Sequence, residues 1–162
     1  MKTLFLTGII SLLMQAHLFC ANTATQNLTM VINSSSTITT SGTPPTLSVT
    51  LAADGTGSST DSSTSYTVVS NSNANGSLKV TGAITTGGNM PTNTGLTISL
   101  ASTKGTSQGA QTLTTTATDL ITKLPTLLSD TGAITYVFSV SNGWTIAAQT
   151  LSRTVTLTLT GS

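Results

Sequence analysis

The sequence predicts an all-β protein built as a sandwich or barrel of antiparallel sheets, and three observations predict it. Apolar residues recur at every second position with Thr or Ser between them, the pattern of a sheet with one buried and one wet face. Clusters rich in Gly, Asn and Pro separate these runs at the spacing of hairpin turns. Hydrophobic residues make up 37% of the chain. In ordered alternation that is enough to offset the entropy of folding, although the Ser, Thr, Gly and Asn content alone would read as disorder.

The chain opens with Lys2 and an apolar run from Leu4 to Leu18, followed by Cys20 and Ala21. This is the build of a secretory signal peptide. Polar interruptions at Thr7, Gly8, Ser11 and Gln15 leave the run short of the roughly 20 apolar residues of a membrane span. Residues 1–21 are therefore expected to be removed, with cleavage after Ala21. Leu18 and Phe19 are too bulky for the lipidation site that Cys20 would otherwise suggest. Residues 22–33 read as an N-terminal extension ending in a strand, and residues 34–162 as one sandwich domain, a size that holds a real core.

The first alternating segment carries Leu28, Met30 and Ile32, and the second Leu47, Val49 and Leu51. Tyr66 and Val68 mark the third; Leu78, Val80 and Ile84 the fourth; Leu96, Ile98 and Leu100 the fifth. A weaker stretch surrounds Leu113. Then come Ile134, Tyr136, Phe138 and Val140, and finally Val155, Leu157 and Leu159. The residues between them are mostly Thr, whose branched side chain favours strands. Turns are expected at 41–45, 54–57, 75–76, 87–89 and 142–143. One stretch breaks the period: Thr118-Asp119 could cap a short helical turn carrying Leu120, Ile121 and Leu124 before Pro125 ends it. Residues 54–65 form the most polar run and read as a mobile loop.

Beyond residue 21 the sequence has no Cys, no His and no Glu. A Ser or Cys nucleophile with a His base is therefore excluded, and a zinc site would need Asp alone. Asp54, Asp61, Asp119 and Asp130 each sit where a turn or cap explains them, so neither a glycosidase pair nor a calcium loop is expected. The protein reads as a non-enzyme without cofactor or metal. Charged residues make up 6% of the chain, against about 25% in typical globular proteins. No basic face exists for nucleic acid. An uncharged polar surface also offers little repulsion between copies. Lys79 could in principle form an isopeptide bond, but the placed acid such a bond requires is missing.

The two ends carry the sharpest expectation, since each is an alternating strand and end strands commonly lie at sheet edges, which recruit partners. Residues 27–32 (Asn-Leu-Thr-Met-Val-Ile) and the closing run from Val155 to Ser162 resemble the two ends of cysteine-free fimbrial major subunits of the chaperone–usher class. A Tyr-bearing strand at 65–70 and a Lys-bearing strand at 77–84 follow the same order. The commoner pilins of that class differ in carrying a disulfide and a near-terminal Tyr.

The resemblance implies an incomplete immunoglobulin-like antiparallel sandwich in which the extension of one subunit completes the next. It further implies a periplasmic chaperone, an outer-membrane usher and a bacterial fimbrium as destination. Leu28, Met30 and Ile32 would then meet Val155, Leu157 and Leu159 at a subunit interface of a secreted homopolymer. The alternative is a monomeric secreted adhesin or carbohydrate-binding module gripping a glycan or host surface through Trp144 and Tyr66.

Overall fold

The computed structural model of the protein describes residues 26–72 and 76–161. The expected signal peptide, Cys20 and the first half of the turn at 75–76 lie outside the described residues. Residues from Asn33 onward belong to one compact unit, and it is all-β. Its strands are β1 (Ser36–Ser41), β2 (Gly57–Asn71), β3 (Leu78–Thr86), β4 (Thr94–Leu100), β5 (Thr106–Ser107), β6 (Gln111–Thr112), β7 (Thr118–Leu124), β8 (Leu127–Val140) and β9 (Thr154–Gly161). Among the described residues a single 3-10 turn, Gly143–Thr145, precedes β9.

The strands form two antiparallel sheets in a β-sandwich. One sheet has the order β1-β2-β8-β4-β6 and the other β5-β7-β3-β9. Inward residues alternate with Thr and Ser as a half-buried sheet requires. Tyr66 and Val68 of β2, Val80 of β3, Leu100 of β4 and Leu124 of β7 are fully buried. Outward hydroxyls bond across strands, as between Thr67 and Thr131 at 3.0 Å. Lys79 and Asp119, on neighbouring β3 and β7, form an ion pair of 3.0 Å with both side chains partly exposed. That geometry makes Lys79 a surface ion-pair partner.

Four sequence expectations are corrected here. Residues 28–32 form no strand, and neither do residues 47–51. Both have the alternation but no strand partner among the described residues, and a strand exists only in a ladder. Residues 57–65 belong to β2 and pair with β8 from Gly57↔Val140 onward. Their lack of apolar residues misled because backbone pairing, with one irregularity between Asp61 and Thr64, holds that half of the strand. Asp61 braces the irregularity by accepting hydrogen bonds from the Ser63 backbone N–H and hydroxyl at 3.0 and 2.8 Å.

The fourth correction concerns Thr118–Leu124, which is strand and not helical turn. Its pairing with β3 shifts register twice, and Lys123 has φ 56°. These bulges turn Leu120, Ile121 and Leu124 to one face, which reproduces a helical spacing on a strand. Gly82 of β3 makes room for the displaced side chain, since a Cβ there would lie 2.7 Å from Leu120 Cδ1.

Candidate functional site

The core is sealed around Tyr66, Leu100 and Leu124 and opens toward one border of the sandwich. Along β8, Ile134 is buried, whereas Tyr136, Phe138 and Val140, which continue the same inward row, are only half-buried. On β9 the inward residues Val155, Leu157 and Leu159 are all half-buried, although they pack against the core. Inward apolar residues stay partly wet when nothing lies over them.

What they border is a groove of about 1130 Å³ between the sheets. Val155 and Leu157 line it from the four-stranded sheet, and Tyr136, Phe138 and Val140 from the five-stranded one. Two segments without strand pairing complete the margin, residues 44–51 and 146–153. Burial alternates along residues 45–49, with Leu47 and Val49 turned inward. β1 cannot continue into this segment, because Gly42 turns the chain at φ 98° and Pro44-Pro45 offers no N–H for a ladder. Among the described residues the second edge of β9 is therefore unpaired, and β3 is its one strand neighbour. Burial raises the Tyr136 hydroxyl above its ordinary pKa, as expected for a ring set in apolar surroundings.

Among the described residues, two buried side-chain polar atoms have no hydrogen-bond partner, Thr64 Oγ1 and Arg153 Nε. Both residues line this groove. The remaining guanidinium nitrogens of Arg153 are engaged, Nη1 with the Ser152 carbonyl at 2.8 Å and Nη2 with that of Asn89 at 3.2 Å.

The sequence-predicted interface residues divide into two sets. Val155 and Leu157 line the groove, while Leu159 lies further along the same half-buried row. Leu28, Met30 and Ile32 are 75%, 82% and 90% exposed, so three large apolar side chains of one alternating row are left in water.

The two candidate ligand contacts part ways. Trp144 is 69% exposed in the 3-10 turn. Its indole lies against Gly55, whose Cβ, if present, would be 2.6 Å from Nε1, and the Gly143 N–H donates to the Gly55 carbonyl at 2.7 Å. Tyr66 is fully buried; its place between the buried Thr64 and Val68 puts it on the inward face of β2. Its hydroxyl meets Asp130, which the sequence placed at a turn and the structure buries in the middle of β8. Ser102 and Thr103 also donate to that carboxylate, so the cluster is internally satisfied and ties the loop after β4 to β8.

Sequence reasoning found β9 through its strict alternation. It missed the floor of Tyr136 and Phe138 as a site, because period-2 spacing marks which residues point inward and not which of them stay uncovered. The orphaned atoms of Thr64 and Arg153 carry no sequence signal at all. No protein-family model matches the chain, and neither curated proteins nor solved structures yield a match.

Proposed function

We propose that the protein is a secreted structural subunit of a bacterial surface fibre that assembles by β-strand complementation. Leu28, Met30 and Ile32 of one copy enter the groove of the next and extend its sheet at β9. On this reading the domain is an immunoglobulin-like sandwich short of one strand. The observation that carries it is the edge of β9, unpaired among the described residues, beside an open groove into which Tyr136, Phe138, Val140, Val155 and Leu157 face. An added strand supplies main-chain hydrogen bonds to such an edge and alternate side chains to the groove.

The magnitudes favour it. Three alternate residues span about 13 Å. Burying three aliphatic side chains that are now in water contributes about 5–9 kcal/mol before ordering costs. A lipid or small apolar ligand would fill the volume and leave the edge peptide groups of β9 unpaired. A periplasmic chaperone and an outer-membrane usher are the partners the fimbrial resemblance implies, and a chaperone would act by covering the same edge.

The test is electron microscopy with size-exclusion chromatography of the full chain, of Met30→Asp and of a version starting at Ser34. Filaments or ladders from the first and folded monomers from the other two are expected. Unchanged assembly by Met30→Asp sinks the proposal.

The exposure of Trp144 favours one second reading, a monomeric adhesin that holds a neutral glycan on the indole face. A glycan array that binds the protein and loses the signal on Trp144→Ala would support it.

A further inference from the structure

We infer that the two ends of the sandwich dock on each other head to tail, Val69, Leu127 and Lys123 of one copy against Leu51, Trp144 and Asp54 of the next. The inference rests on the strand-complementation reading and gives the joined copies a second contact. Outside residues 28–32, the large apolar side chains exposed among the described residues are Leu51, Val69, Leu127 and Trp144. They fall into two pairs. Asn71 opposes Leu127 and Val69 opposes Ser129, so Val69 and Leu127 are diagonal neighbours on the outer face of the five-stranded sheet. Leu51 and Trp144 flank the opposite end, beyond the Gly57↔Val140 pair. A Cβ on Gly143 would collide with the Leu51 side chain, and one on Gly55 would lie 2.6 Å from Trp144 Nε1. The Gly143 N–H donates to the Gly55 carbonyl at 2.7 Å, which holds this pair together. β2 spans the two ends over 15 residues, about 45 Å.

Each end also carries one half of what strand exchange joins. At the Leu127 end, Asn71 anchors the root of the extension. Its N–H donates to the Ser35 carbonyl at 3.0 Å and its Nδ2 to the Asn33 carbonyl at 3.1 Å, while its Oδ1 accepts from the Ser35 N–H at 2.5 Å. The groove lies toward the Trp144 end: Leu51, Val140 and Gly143 line it there, whereas Leu159, at the far end of the β9 row, does not. A strand that leaves one copy beside Leu127 and enters the next beside Trp144 brings these two ends together.

The charges match as well. Lys79 and Asp119 pair with each other, and Asp130 is buried. Lys123 is exposed four residues before Leu127, and exposed Asp54 adjoins Gly55 at the Trp144 end. Thr56 holds the Asp54 carboxyl below its ordinary range through its N–H and hydroxyl. Arg153, a cation at that same end, turns Nη1 and Nη2 to the Ser152 and Asn89 carbonyls. Opposite charges beside the two apolar pairs select the head-to-tail orientation. A contact between two unlike surfaces propagates from copy to copy instead of closing on itself as a two-fold dimer does.

The experiment uses two full chains. Leu157→Asp keeps its extension and has a spoiled groove; Met30→Asp keeps its groove and cannot donate. Their heterodimer sets one Leu127 end against one Trp144 end, and analytical ultracentrifugation reads its affinity. Leu127→Ser in the donating chain should weaken it about tenfold, as losing a buried leucine does. The same substitution in the accepting chain should change nothing, which also shows that the variant folds. Lys123→Glu in the donor and Asp54→Lys in the acceptor should each weaken it about three- to fivefold at low salt. The two together should restore it.

Trp144→Ala in the acceptor should weaken the heterodimer but not the binding of a synthetic peptide of residues 26–34, which brings no Leu127 end. Unchanged affinity with Leu127→Ser in the donor, equal loss in either copy, or peptide binding that falls with Trp144→Ala overturns the end-to-end contact and leaves strand complementation standing. Absence of both heterodimer and peptide binding overturns both.

Discussion

The Tyr66 hydroxyl oxygen lies 2.8 Å from Asp130 Oδ2 and 2.8 Å from the Ala101 carbonyl, so one phenol proton serves two acceptors in the sealed half of the core. Ser102 Oγ donates to Asp130 Oδ2 at 2.7 Å and Thr103 Oγ1 to Oδ1 at 3.1 Å. Three side chains, one from β2 and two from the loop after β4, thus hydrogen-bond a carboxylate that has no ion-pair partner among the described residues. Tyr66→Phe should cost about 1–2 kcal/mol, since Ser102 and Thr103 remain. Asp130→Ala, which strands several donors at once, should cost about 3 kcal/mol or more. Urea denaturation of the two variants checks the order.

The same cluster sets the pH dependence. Burial acts to raise the Asp130 pKa, but the hydrogen bonds from Ser102, Tyr66 and Thr103 outweigh it and hold the carboxyl below 3.8. The fold therefore prefers the ionised form. Its contribution to stability is complete above the unfolded value and drains away as pH falls through the lower folded one. Tyr66 works in the opposite sense: burial first, then the bond to Asp130, raise its pKa above 10.0. Its contribution is complete below that value and is lost as pH rises beyond it. Asp54, held below its ordinary range by the Thr56 N–H and hydroxyl, joins the acid limb. With no His or Glu beyond residue 21, stability should stay flat between the limbs. Asp130→Asn should flatten the acid limb, as urea midpoints across pH would show.

Gly132 faces Tyr66 across β2 and β8, and a Cβ there would collide with the Ala101 carbonyl and lie 2.9 Å from the Tyr66 ring. Gly132→Ala should therefore cost about 1–3 kcal/mol through overpacking. Gly161→Ala, where a Cβ meets nothing within 4 Å, is the control. Thermal melts that treat the two substitutions alike would contradict this account.

If strands pass between copies, donor and acceptor defects should complement each other. Met30→Asp removes the donor and leaves the groove, while Leu157→Asp spoils the groove and leaves the donor. Each variant alone should be monomeric, and an equimolar mixture should yield a capped heterodimer by multi-angle light scattering. Dimers from either variant alone would count against a single donor and a single groove.

Much of this architecture was legible in the sequence because Thr alternation survives wherever a strand has one wet face. β3, β4, β9 and the second half of β8 follow it. β7 was illegible because its bulges put Leu120, Ile121 and Leu124 on one side. The polar half of β2 was illegible because its neighbour holds it through backbone bonds. The alternation at 28–32 and at 47–51 was legible and still forms no strand, since side-chain periodicity states what a segment could pair with and not whether a partner is present. For the site, Val155 and Leu157 could be read and the uncovered floor could not.

The ladder that borders the groove joins distant parts of the chain: Leu78 pairs with Gly161, and Gly57 with Val140. Such long-range pairings close large loops before any contact repays them, so folding should be slow and late. If β9 accepts a neighbour's strand, the accepting edge comes into being only when β9 has arrived. On that reading a chain interrupted before Thr154 would have no acceptor to present, and the topology itself would keep unfinished molecules out of an assembly.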